Sequence, residues 1–234
     1  MLPRQRHALI YLLIAALLCT GLPAMAAAQE GAVTGTVYID KNLDGARGAD
    51  EAGLAGTELT LLRLNAQGEE AAGTAVSAAD GSYAFQGVAA GEYYIRALLP
   101  DGYIPTRYVK GGSELIPSNT TGGRTAPFTV QAGGGASLPM GAMPSKNGSF
   151  VRAIAFGDDN LNGGRFSSEP LLRGVLAEVL FELDGTYYAV GSGETNKEGL
   201  VNITNLAPGI YVLAATMPGS YIIGPVGKKI SLFY

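Results

Sequence analysis

The sequence overlays itself at a single shift of 118 residues, and this self-similarity constrains the fold more than any other feature. At that shift Asp40 meets Asp158, Asn42 meets Asn160, Gly45 meets Gly163 and Glu51 meets Glu169. Further along, Leu54 meets Leu172, Gly56 meets Gly174, Gly81 meets Gly199, Gly91 meets Gly209, Pro100 meets Pro218 and Tyr103 meets Tyr221. No gap is needed. Agreement in one register over roughly sixty residues reads as two copies of one structural unit. The copies are placed at 31–143 and 150–234, with PSKNGS (144–149) as a linker too short to leave much slack.

Within each copy the punctuation is Gly, Asn, Asp and Pro, and the runs between are short and rich in β-formers. TGTVYI (34–39), TELTLLRL (57–64), GSYAF (81–85), EYYIRALL (92–99) and APFTV (126–130) are expected strands, and ASLPMGAM from Ala136 supplies another. In 92–99, Tyr93, Ile95 and Ala97 fall on one side by the two-residue period. No long helical periodicity competes, so the expected fold class is all-β: two tandem immunoglobulin-like or prealbumin-like sandwiches. High apolar content with low charge disfavours a disordered glycine-rich chain. The second copy is expected to be incomplete, because nothing follows Tyr234 to match 117–143. On that reading the chain is a fragment of a longer protein.

Residues 1–28 follow the plan of a secretory signal: Arg4 and Arg6, an apolar core from Ala8 to Cys19, then small residues Ala24, Ala26 and Ala28 before the cleavage region. The apolar core is too short to span a bilayer, and the mature chain is expected to carry no transmembrane helix. Leu18 directly before Cys19 argues against a lipid-anchored thiol. Cleavage removes the sole His (His7) and the sole Cys (Cys19), and the chain has no Trp. Ser-His-Asp and Cys-His catalysis, disulfides and zinc sites built on His or Cys are thereby excluded from the mature chain. Loss of two Arg takes the 16 basic residues to 14 against 20 acidic, a net charge of about −6, which argues against nucleic acid as a partner.

Each copy opens with a loop that fits D-x-[DN]-x-[DN]-G-x5-E. In DKNLDGARGADE, Asp40, Asn42 and Asp44 take positions one, three and five, Gly45 the sharp turn, and Glu51 position twelve. In DDNLNGGRFSSE the same places go to Asp158, Asn160, Asn162, Gly163 and Glu169. A hard cation needs roughly six to eight oxygens, which alternate side chains on a tightly curled loop can supply while a distant Glu closes it. Main-chain carbonyls of Ala46 and Gly164 stand at position seven, and calcium is the expected ion. Asn162 in place of Asp44, with Arg165 intruding, makes the second loop the weaker binder. Gly48 and Phe166 at position nine add no side-chain oxygen, and Asp50 and Asp159 are outer-shell or solvated. The competing reading is a strand connection whose polar side chains bond only their own backbone. A strand, not a helix, precedes each loop (TGTVYI and VRAIAF), so this is a calcium loop on a β scaffold.

The ordered motifs resemble the B-type repeats of the serine-aspartate repeat adhesins (SdrD B-like) and the related collagen-adhesin B domains. They are the D-x-N-x-D-G loop, LAG (54–56), and AADGSYAFQGVAAGEYYIRALLPDGY (78–103), matched in the second copy by NKEGLVNITNLAPGIYVLAATMPGSY. The resemblance implies a calcium-rigidified sandwich that acts as a stalk between a ligand-binding region and the cell surface. It further implies a secreted, surface-associated protein that is mechanical, not an enzyme. Host proteins, matrix proteins or glycans would bind regions outside this fragment. Three departures stand out. The first strands lack the Lys that some relatives use for an isopeptide bond, position nine lacks its Asp, and Leu138-Pro139-Met140-Gly141 only brushes a sortase signal. Two other classes stay open. One is a carbohydrate- or matrix-binding module using Tyr93, Tyr94, Tyr103 and Tyr108, or Tyr187, Tyr188 and Tyr211. The other is an accessory domain of a larger secreted enzyme.

Overall fold

Most runs of β-branched and aromatic residues between glycine turns become strands in the computed structural model, which describes residues 29–219 and, by backbone alone, 229–232. The signal segment expected at 1–28, with His7 and Cys19, lies outside the described residues. Among those residues the only helix is a single 3-10 turn at Ser145–Asn147, and none is long and apolar enough to cross a membrane.

The first half carries β1 (Gly31–Ile39), β2 (Glu58–Asn65), β3 (Gly68–Val76), β4 (Ser82–Val88), β5 (Gly91–Leu98), β6 (Tyr103–Pro105), β7 (Leu115–Ile116), β8 (Gly122–Thr125), β9 (Phe128–Val130), β10 (Gly135–Ser137) and β11 (Met140–Pro144). One sheet is ordered β10-β1-β11-β6, with β4 antiparallel to β1; the other is ordered β3-β2-β5-β8-β7, with β9 also on β5. β10 and β11 run parallel to β1 at Ala32–Thr34 and Val37–Ile39, parted by Leu138 and Pro139. A proline offers no N–H to a ladder, which suits it to that break. Between the sheets lie Val33 and Val37, Leu59 and Leu61, Tyr83 and Phe85, and Tyr93, Ile95 and Ala97, each set separated by even steps along its strand as a one-faced strand requires. Met140 and Ala142 of β11 close this core. Tyr94, on the opposite face of β5 from Tyr93, is buried as well, because the Arg124 guanidinium lies 3.9 Å from its ring centroid.

In the second half come β12 (Ser149–Ile154), β13 (Leu176–Leu183), β14 (Thr186–Glu194), β15 (Leu200–Leu206), β16 (Gly209–Thr216) and β17 (Lys229–Leu232). The bounds of β13 to β16 are those of β2 to β5 moved by the shift of 118. Irregularities move with them: the bulge at Leu61/Leu62 recurs at Val179/Leu180, and the bridge Tyr38–Gly53 recurs at Phe156–Leu171. A buried serine hydroxyl that accepts from the Thr57 N–H and donates to the Leu54 carbonyl has its double in Thr195, with Val175 and Leu172. Here the sheets are β12-β15 and β14-β13-β16-β17, around Val151, Val179, Val201, Ile203 and Tyr211.

Two boundaries differ from expectation. The segment 144–149 holds the last residue of β11, the 3-10 turn and the first residue of β12, so ordered backbone runs through it. One of the closing strands thought to be missing from the second copy has a counterpart: β17 pairs with Gly209–Val212 where β9 pairs with Gly91–Tyr93. The chain reaches it sooner than the common shift would, which hid the match.

Candidate calcium loops

Asp40 follows β1 directly, held by its N–H on the Ala142 carbonyl at 2.8 Å, and the loop returns to the sheet where the Ile39 N–H meets the Ala52 carbonyl at 2.9 Å. To fold back within so few residues, the chain takes positive φ at Leu43 (61°) and Gly45 (78°). Gly45 is required on two counts, since a Cβ there would also lie 2.5 Å from Val109 Cγ2.

Polar side chains fasten the turn. Asp40 Oδ2 accepts from the Gly45 N–H at 2.9 Å and from the Thr106 hydroxyl at 2.8 Å. Asn42 Oδ1 accepts from the Asp44 N–H (3.1 Å), Asn42 Nδ2 donates to Asp44 Oδ2 (2.8 Å), and Asp44 Oδ1 accepts from the Ala46 N–H (2.7 Å). Glu51 closes the loop with both oxygens, accepting from the Lys41 N–H at 2.7 Å and the Gly48 N–H at 2.8 Å. Asp50 contributes its carbonyl to the Lys41 ammonium at 2.6 Å.

Asp158, Asn160 and Asn162 repeat this skeleton. Asp158 Oδ2 accepts from the Gly163 N–H (2.7 Å), Asn160 Oδ1 from the Asn162 N–H (3.1 Å), and Asn162 Oδ1 from the Gly164 N–H (2.7 Å). Glu169 Oε2 accepts from the Phe166 N–H at 2.8 Å. Ala46 and Gly164, expected to serve through their carbonyls, enter both networks through their N–H groups.

Sequence position thus brings the ten named residues into two loops, but not every oxygen onto one centre. Among the described residues no three Asp, Glu, His or Cys side chains gather closely enough to hold an ion by themselves. A cation would have to recruit the Asn and main-chain oxygens as well. Two oxygens favour one: Asp40 Oδ1 and Glu169 Oε1 are buried with no hydrogen-bond partner among the described residues. Each carboxylate has a donor on its other oxygen, but a buried carboxylate oxygen left without one is costly, and a cation would satisfy it. The strain shows in the proton affinity of Asp40, raised above its ordinary 3.8 by burial and by the Glu51 charge, against the lowering hydrogen bonds from Thr106 and Gly45.

Sequence reasoning missed the roof of the first loop. Thr106 reaches Asp40 from 66 residues away, the Ser113 N–H bonds the Gly45 carbonyl at 2.7 Å, and the Ser113 hydroxyl accepts from the Gly141 N–H at 3.0 Å. No repeat comparison could find Thr106, because the residue at the common shift is Gly224. Tyr38, at the end of β1, lies outside the loop motif as well. Its hydroxyl is buried with no hydrogen-bond partner among the described residues, and burial together with Asp40, Glu51 and Asp44 pushes its phenol pKa up.

Residues 31–138 match the SdrD B-like domain family. Among curated proteins, Colossin-A of Dictyostelium discoideum is 28% identical over 200 residues, covering 80% of this chain and 2% of that protein. Serine-aspartate repeat-containing protein D of Staphylococcus aureus (strain Newman) is 29% identical over 187 residues, covering 79% of this chain and 13% of that protein. This chain therefore spans a small part of the relatives it matches. Among solved structures, a minor pilin of Streptococcus agalactiae aligns over 87% of this chain and 90% of its own, with 14% identity and a TM-score of 0.41.

Proposed function

Starting from the match of residues 31–138 to the SdrD B-like domain, we propose that this chain is a secreted spacer of a cell-surface, adhesin-like protein, stiffened by calcium and without catalytic activity. Calcium would be held in the first copy by Asp40, Asn42, Asp44, the Ala46 carbonyl and Glu51, and more weakly in the second by Asp158, Asn160, Asn162, the Gly164 carbonyl and Glu169. Bound there, the ion supplies positive charge to crowded carboxylates and ties the end of the first strand to the chain beyond the loop.

The observation that carries this reading is the joint between the two halves. The Tyr108 ring lies 5.9 Å from that of Phe181, which in turn lies 6.3 Å from Tyr211, and the Asn119 N–H bonds the Val190 carbonyl at 2.9 Å. Ile116 packs into the core of the second half, and Leu43, inside the first loop, packs with Ile104, Met143 and Ala207. From Asp40 through Thr106 to Tyr108 and Phe181, loop and joint form one contiguous structure. A spacer must resist bending at its joints, and a packed aromatic contact beside the loop provides that resistance.

Small-angle scattering of the chain from residue 29 onward tests the reading. An extended particle of one fixed maximum dimension is expected in millimolar calcium, broadening in chelator. Two freely tumbling lobes in saturating calcium would overturn it.

A further inference from the structure

On the other side of the joint, β8 and the segment 116–120 of the first half face β14 of the second across a cleft of about 500 Å³. Its chemistry departs from that of an acidic chain. Two arginines, Arg96 and Arg124, line it together with Tyr187, Tyr188, Ser118 and Thr120, and no acidic side chain among the described residues does. The Arg124 guanidinium sits 3.9 Å from the Tyr94 ring centroid and 5.9 Å from that of Tyr188, so one aromatic ring comes from each half. Stacking fixes the plane of a guanidinium and leaves its N–H edge to bond. Arg124 has no carboxylate partner among the described residues. Arg96 has one, Glu69 at 3.4 Å, but both side chains are well exposed (60% and 43%), and such a pair is weak and screened.

We propose that this cleft binds an acidic oligosaccharide, a uronate-bearing glycan whose carboxylate meets Arg124 and Arg96. Tyr187, 54% exposed, offers a flat face to the apolar side of a sugar ring. The Ser118 and Thr120 hydroxyls, hydrogen-bonded to each other at 3.0 Å, still have lone pairs to accept from the hydroxyls of a neighbouring sugar. The cleft volume lies within the range of small-ligand sites, and it places a few polar groups beside aromatic walls. An acidic peptide is the less favoured occupant. β14 is an edge strand, and beside the cleft its Val190 carbonyl already accepts the Asn119 N–H, which obstructs strand addition there. Because both halves build the cleft, the ligand would bind only while the joint is closed.

The test is calorimetric titration of the chain from residue 29 onward with trigalacturonic acid, neutral galactotriose and a hexaglutamate peptide, in calcium. Trigalacturonic acid is expected to bind about tenfold or more tighter than the neutral trimer, and to weaken as salt rises. Arg124→Gln should weaken it about tenfold or more, and the exposed Tyr187→Ala about threefold to tenfold. Should Arg124→Gln fail to fold, Tyr187→Ala carries the test. Equal binding of the acidic and neutral trimers, hexaglutamate binding as tightly as the sugar acid, or wild-type binding by Tyr187→Ala would each overturn the proposal.

Discussion

The two loops share one skeleton and differ in what surrounds it. At 40–51 the turn is roofed: Asp40 is buried, Thr106 and Ser113 reach in from another part of the chain, and Leu43 packs under the joint at 8% exposure. At 158–169 the turn is open. Leu161, with φ 56° against 61° at Leu43, is 88% exposed, and a Cβ on Gly163 would meet nothing within 4 Å. Identical spacing of Asp, Asn, Gly and Glu therefore sets the loop's shape, while the cover over it sets how strongly charge is concentrated and how far the loop is tied to the rest of the molecule.

The sharpest contrast is expected at the two positive-φ leucines. Leu43→Asn removes a buried apolar side chain and should lower stability by about 2–3 kcal/mol in chemical denaturation. Leu161→Asn loses almost no burial and replaces Leu with a residue that better tolerates the left-handed region, so it should be neutral or stabilising by about 0.5 kcal/mol. Equal effects at the two sites would erase the distinction between a roofed and an open loop.

Next in size is the calcium-linked increment. With affinity in the extracellular range of roughly 10⁻⁴ to 10⁻³ M, a few millimolar calcium should add on the order of 1–2 kcal/mol through a loop. Glu51→Gln should remove most of the first loop's share of the calcium-dependent rise in melting temperature. Glu169→Gln should remove a smaller share, since Asn162 stands where the first loop has Asp44. A smaller effect, about 1 kcal/mol, is expected for Thr106→Val, which deletes the hydroxyl donor to Asp40 while keeping the shape. That loss should appear in both calcium and chelator, because the hydroxyl engages Asp40 Oδ2 and Oδ1 is the oxygen without a partner among the described residues.

Much of this architecture is legible in the sequence because glycine and asparagine turns recur at one shift, and turns fix strand ends. What the sequence hid has specific causes. β3 (GEEAAGTAV) is mostly exposed along its length and lacks the apolar alternation that marks a half-buried strand. Tyr94 breaks the one-sided pattern of β5 because Arg124, thirty residues later, covers its outer face. The loop residues themselves were readable, since their order along the chain is their order around the turn. The roof was not, because Thr106 and Ser113 are joined to the loop only by tertiary folding.

The roof over the first loop should make it the stronger calcium site. Calcium titration by calorimetry, on the chain from residue 29 onward and on its Glu51→Gln and Glu169→Gln variants, tests it most directly. The account predicts two binding events in the wild type, with the tighter one lost in Glu51→Gln and retained in Glu169→Gln. Loss of the tighter event in Glu169→Gln, or titrations indistinguishable among all three proteins, would contradict it.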